Sequence, residues 1–165
     1  MTDTGNFAYN SSDPELYIII SHLLTFGLDK DAIHSRVFDT FSADRMRFVG
    51  YCLYRKMRYL PQYKTAIIAL SANELYQFNF QSGDAEGIVN MPLQIRDVVF
   101  SVFMREDKDK IKISLRSQGD FAVNVIASTL FNGGGHKNAA GGESYDSLET
   151  TVKRLMDALP DICPN

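Results

Sequence analysis

Residues 133–142 read GGGHKNAAGG. Most of these positions carry no side chain or only a methyl group. The consecutive glycines Gly133, Gly134 and Gly135 allow positive φ and the close approach of another molecule to the main chain. Peptide N–H groups displayed along such a turn form a concave anion site, which a following helix start would reinforce. His136 comes next, a side chain that donates, accepts or carries charge near neutral pH. Ala139, Ala140, Gly141 and Gly142 then leave space open. Glycines alone read as a loop between two elements. Triplet, histidine and small-residue run together read as a loop facing an anionic ligand. A Walker loop is excluded because no Gly-Lys-Ser or Gly-Lys-Thr follows, and no GxGxxG stands after a strand in a βαβ unit.

Working outward from this loop, Asn124–Phe131 reads as a helix leading into it, and Asp146 with Glu149 as a capping box for the last helix. Lys110–Ser117 (KIKISLRS) and Asp97–Arg105 (DVVFSVFMR) read as two strands joined by the polar turn 106–109. Strand alternation puts Ser114 and Arg116 on one face, with Leu115 and Ser117 on the other. A guanidinium at Arg116 offers a planar, permanently charged fork for a phosphate or a base edge. Further upstream, Thr65–Leu70 (TAIIAL) is a buried strand, Ser71 with Glu74 a capping box, and Ala85–Val89 a helical turn.

The first third of the chain is helical. Asp13-Pro14 opens a helix that Gly27 closes, with Leu16, Ile19, Ile20, Leu23 and Leu24 as its packing face. Asp29 caps a second helix, Lys30–Phe41. Ser42 caps a third, with Met46, Val49, Leu53, Met57 and Leu60 at helical spacing until Pro61 stops it. Arg45, Arg47, Arg55, Lys56 and Arg58 scatter round that helix as a solvated face. The expected architecture is α/β, with α+β the neighbouring class: a small mixed β-sheet flanked by helices and preceded by a helical linker.

Composition sets outer limits. The longest apolar runs, such as Ile18–Ile20 and Ala66–Leu70, fall short of a membrane span. Cys52 and Cys163 form neither a disulfide framework nor a metal pair, and Cys52 reads as a buried thiol. A reducing cytoplasm, with no membrane partner, is the expected setting. The formal net charge of −3 argues against bulk electrostatic binding of long nucleic acid and leaves room for short anionic ligands.

Three stretches together carry a resemblance: GGGHxxAAG, SLRS at Ser114–Ser117, and TDTGNF at Thr2–Phe7. The chain resembles the C-terminal part of the DHH-family phosphoesterases, which ends in the DHH-associated domain. The likeness is to the subfamily that acts on short oligoribonucleotides, linear dinucleotides and 3′-phosphoadenosine 5′-phosphate. It implies a manganese-dependent phosphoesterase in which two ions activate water, and it puts Asp3 in the role of a metal ligand. His22, His34 and His136 are the only histidines, and no Asp-His-His tripeptide occurs. Met1 is therefore expected to be an internal residue, and the catalytic DHH domain a missing partner. The expected division is residues 1–12 as the end of that domain, 13–62 as the helical linker and 63–165 as the substrate-binding lobe. Hydrolysis by this chain alone is not expected, and the full-length enzyme would be a homodimer. The resemblance implies substrate contacts from Arg116, His136, Gly133, Gly134 and Gly135, with Ser114, Ser117 and Asn124 as further candidates. Two other readings are a nucleic-acid-binding module like the C-terminal lobe of alanyl-tRNA synthetases, and part of a RecJ-like single-strand exonuclease.

Overall fold

A computed structural model describes residue 7 and residues 11–163. Asp3 lies outside the described residues. Two units divide the chain, Met1–Phe41 and Ser42–Asn165.

In the first unit, α1 (Pro14–Thr25) and α2 (Lys30–Phe38) begin at the expected caps. Asp13 accepts from the Glu15 N–H and Asp29 from the Ala32 N–H, both at 2.9 Å. Neither helix has a buried residue, so the apolar stripe of Ile19, Leu23 and Leu24 is surface.

The second unit is built on a six-stranded sheet in the order β1 (Arg58–Leu60), β2 (Thr65–Leu70), β3 (Phe100–Asp107), β4 (Lys110–Ser117), β6 (Ala139–Ser144), β5 (Gly134–His136). β2 and β3 run parallel; every other neighbouring pair is antiparallel. A parallel pair needs a long crossover. Here it consists of α4 (Ala72–Gln77), a turn-rich stretch and the 3-10 segment Ile88–Gln94. The mixed α/β sheet flanked by helices is the architecture the sequence predicts.

Each face of the sheet has its own core. On one face, Ile67, Val102, Met104, Ile113, Leu115 and Ala140 are covered by α5 (Val123–Leu130) and α6 (Leu148–Ile162). On the other, Ile68, Leu70 and Phe103 are covered by Phe48 of α3 (Ala43–Tyr51), Cys52, Leu75 of α4, Ile88 and Val89. Burial on both sides explains why β2 and β3 read as continuous apolar runs. The second cover stops at β3. The strip formed by β4, β6 and β5 stays bare on that face: Lys112, Gly134, His136 and Gly141 are exposed.

Several boundaries differ from expectation. α3 ends at Tyr51, gives way to a π-helical turn at Cys52–Lys56, and is followed by β1 where the sequence pattern continues a helix to Leu60. Phe48 is the buried residue of α3 and Cys52 that of the π-helical turn; Met46 is exposed. Backbone pairing of Arg58–Leu60 with β2 outweighs the helical periodicity there. β3 begins three residues later than expected and runs on to Asp107. The turn tightens to Lys108 and Asp109, with Lys108 in the left-handed region. Ser147, not Asp146, caps α6, accepting from the Thr150 N–H. The capping box of Ser71 and Glu74 is as predicted.

Candidate functional site

Residues directly opposite each other in a ladder share a face. The register therefore lays three rows across the bare strip. Ser101, Arg116, Ala139 and His136 form one; Phe103, Ser114, Gly141 and Gly134 the next; Arg105, Lys112 and Glu143 the third. Ser114, Arg116, His136 and Gly134 are thus brought to one surface by strand pairing alone. Ser117 is not among them. It faces the other way and is buried, donating to the Phe121 carbonyl at 2.6 Å and accepting from Asn138 Nδ2 at 2.9 Å. Its visible work is to tie the end of β4 to the hairpin turn at residues 137–138.

The residues expected as a loop, Gly134–His136, are strand β5 of that hairpin, and the glycines divide by face. A Cβ on Gly135 would lie 2.7 Å from the Ala139 carbonyl oxygen, and its φ is +141°. A Cβ on Gly142 would lie 2.6 Å from the Phe131 carbonyl oxygen, and one on Gly133 would lie 2.0 Å from that of Gly141. These glycines are required by the packing of the hairpin against its own backbone and the end of α5. Gly134 is different: nothing lies within 4 Å of the Cβ position. At Gly141 the nearest atom is the Ile113 carbonyl oxygen at 3.4 Å. The two glycines of the bare strip lack side chains that this chain's own packing would largely accommodate.

At the boundary between the bare strip and the covered half lies a cleft of ≈ 290 Å³, with Phe103, Arg105, Lys112, Ser114 and Arg116 on the sheet side. Phe80, Gly83, Ala85, Glu86, Gly87 and Val89 form its roof. Arg45 holds that roof, donating from Nε to the Asp84 carbonyl at 3.2 Å and from Nη2 to that of Glu86 at 3.0 Å. The sequence reading of Arg45 as solvated is corrected by this long-range docking. Lys56 is likewise engaged, 2.7 Å from Glu74.

The cations of the cleft are unequal. Lys112 and Arg105 share the Asp107 carboxylate at 2.7 and 3.6 Å, and the Lys112 hydrogen bond leads in holding Asp107 below the ordinary carboxylate range. The Arg105 guanidinium also stands 5.2 Å from the Phe80 ring centroid. Arg116 has no ion-pair partner among the described residues. One of its nitrogens donates to the Leu115 carbonyl at 2.9 Å and, more weakly, to that of Ala140 at 3.4 Å. Burial pulls its pKa down, yet a guanidinium stays charged in proteins. The result is a half-buried, backbone-anchored, unneutralised cation beside a glycine floor. In the same row, the buried Ser101 Oγ has no hydrogen-bond partner among the described residues; neither has Asn124 Oδ1, in the first turn of α5. Sequence reasoning passed over Ser101, Arg105, Lys112 and the Phe80 roof. Lys112 was legible by alternation from Arg116, Ser101 only through the register of β3 against β4, and the roof depends on contacts distant in sequence.

For metal, the described residues include no group of three or more His, Cys, Asp or Glu side chains able to hold an ion. The manganese pair implied by the resemblance does not fit them.

The second unit is thus a mixed sheet covered by helices on one face and over half of the other, whose bare half sets the Arg116 guanidinium beside Gly134 and Gly141. The chain belongs to the DHHA1 domain family, whose model matches residues 62–163. It is 30% identical over 89% of its length to the probable bifunctional oligoribonuclease and PAP phosphatase NrnA of Streptococcus mutans, covering 46% of that protein. The corresponding Thermus thermophilus protein is 26% identical over 96% of this chain and 47% of its own. Among solved structures, an exopolyphosphatase-related protein from Bacteroides fragilis aligns with a TM-score of 0.93 and 50% identity, covering 98% of this chain and 47% of that one. The chain thus spans about half the length of the curated relatives it matches. No described helix is long and apolar enough to cross a membrane.

Proposed function

We propose that this chain is the substrate-binding lobe of a DHH-type phosphoesterase acting on short oligoribonucleotides, dinucleotides or 3′-phosphoadenosine 5′-phosphate. The observation that carries the proposal is Arg116, unpaired and anchored to backbone, in one row with His136 and beside the glycine floor. Its free N–H groups suit a phosphate oxygen pair, which an ammonium would hold only as a point charge. His136 supplies a second donor across the hairpin and Ser114 a hydroxyl on the neighbouring row. Gly134 and Gly141 let the ligand lie against the main chain. The names borne by the Streptococcus and Thermus relatives support the substrate class. In this proposal the manganese ions and the hydrolytic step belong to a catalytic DHH half, and this lobe positions the substrate for it. The unpaired thiols Cys52 and Cys163 fit a cytoplasmic setting.

The test is fluorescence anisotropy of a labelled, 5′-phosphorylated diadenylate titrated with the chain and with Arg116→Ala. Losing a charge-assisted contact costs about 1.5–3 kcal/mol, so affinity should fall at least about tenfold. Unchanged affinity in Arg116→Ala would remove the basis of the proposal.

A further inference from the structure

We propose a second anion site, behind the sheet, for a small phosphorylated molecule with an apolar body. Between the β1–β2 edge and α6 lies a cleft of ≈ 620 Å³, a volume within the range of small-molecule sites. Its floor is aliphatic, made by Ile67, Ala69, Val152 and Met156. Its rim is basic, with Arg55, Lys56, Arg58 and Lys153 against the single carboxylate of Glu149. Arg58 pairs with Ile67 across the β1–β2 ladder, on the face packed by α5 and α6. This cleft and the Arg116 strip therefore lie on opposite faces.

Two of the rim cations are already committed. Lys56 is 2.7 Å from Glu74, and Lys153 is 2.6 Å from Asp157. Arg55 and Arg58 have no ion-pair partner among the described residues, and both are exposed. They owe their placement to the π-helical turn at Cys52–Lys56, a rare geometry found often at functional sites. The turn ends the helix and drops Arg58 onto the sheet edge. Both arginines precede residue 62, where the family match begins, so the site is assembled at the seam between that domain and the segment before it. Two guanidinium forks on the rim of one cleft with an aliphatic floor suit one phosphate joined to an apolar body. Glu149 disfavours a longer polyanion. The anion class stands on this cleft alone; a nucleotide body rests on the proposed function.

The test is a methyl-resolved NMR titration of the chain, following Ile67, Val152 and Met156. The probes are adenosine 5′-monophosphate, adenosine and inorganic tripolyphosphate. Saturable shifts are expected with the monophosphate, and weaker ones with the other two. Arg55→Gln/Arg58→Gln should weaken binding about tenfold or more. Each single change should weaken it in part, which keeps the test informative if the double variant unfolds, and Arg116→Ala should leave it intact. The proposal is overturned if the monophosphate leaves these methyls unmoved, if it moves them equally in the arginine variants, or if tripolyphosphate binds as well. Diadenylate binding that depends on Arg116 would survive any of these results, so the two proposals fail separately.

Discussion

Replacing glycine by alanine along residues 133–142 separates packing from ligand space. Gly142→Ala drives a methyl to 2.6 Å from the Phe131 carbonyl oxygen and 2.7 Å from its Cβ, where neither atom belongs to a flexible chain end. Overpacking of this kind costs about 1–3 kcal/mol. Gly135→Ala meets the Ala139 carbonyl oxygen at 2.7 Å and must hold φ at +141°, adding roughly 1 kcal/mol of backbone strain. Gly134→Ala meets nothing within 4 Å, and its stability change should stay within about 0.5 kcal/mol. At about 2–4 °C per kcal/mol for a chain of this size, calorimetry should show Gly135→Ala and Gly142→Ala melting several degrees below the parent. Gly134→Ala should melt with the parent yet bind diadenylate more weakly, because its methyl intrudes on the floor. The reasoning is refuted if Gly134→Ala loses as much stability as Gly135→Ala, or keeps full affinity.

Three further outcomes follow from the packing. Burial opposes ionisation of Glu74, yet hydrogen bonds from Lys56, Ser71 and Tyr51 outweigh it and bring its pKa from the ordinary 4.5 down to about 2. Its stabilisation, about 3 kcal/mol at most, is therefore present above pH 4.5 and lost as pH falls through 2. Glu74→Gln should flatten the urea-denaturation free energy across that window. Ser117→Ala should cost about 1–3 kcal/mol in urea denaturation while diadenylate affinity holds, since its hydroxyl serves the Phe121 carbonyl and Asn138. Burial pushes the Cys52 thiol up to about 12, so a disulfide reagent at pH 8 should label it only after denaturation, whereas Cys163 reacts sooner.

The legible parts of this molecule are those set by local physics. Alternation in KIKISLRS was enough to place Arg116 and Ser114 opposite Leu115 and Ser117, and short polar side chains before α1, α2, α3 and α4 announced each helix start. The hairpin escaped because GGH and AAGGES have almost no side chains with strand preference; only main-chain pairing, of β6 with β4 and of β5 with β6, makes them strands. β1 escaped because a π-turn interrupts a sequence whose apolar spacing still reads as helix. The roof of the cleft escaped for a third reason. Arg45 reaches Asp84 and Glu86 across about forty residues, and nothing in a local window reports such a contact.

The claim that most depends on this structure is that substrate lies on the bare strip of β4, β6 and β5. Backbone amide shifts of the isotope-labelled chain, recorded while 5′-phosphorylated diadenylate is added, test it without requiring catalysis. The largest shifts are expected at Ser114, Arg116, Gly134, His136 and Gly141, and they should vanish together in Arg116→Ala. Shifts confined to α5, α6 or the first unit, with that strip silent at saturation, would contradict it.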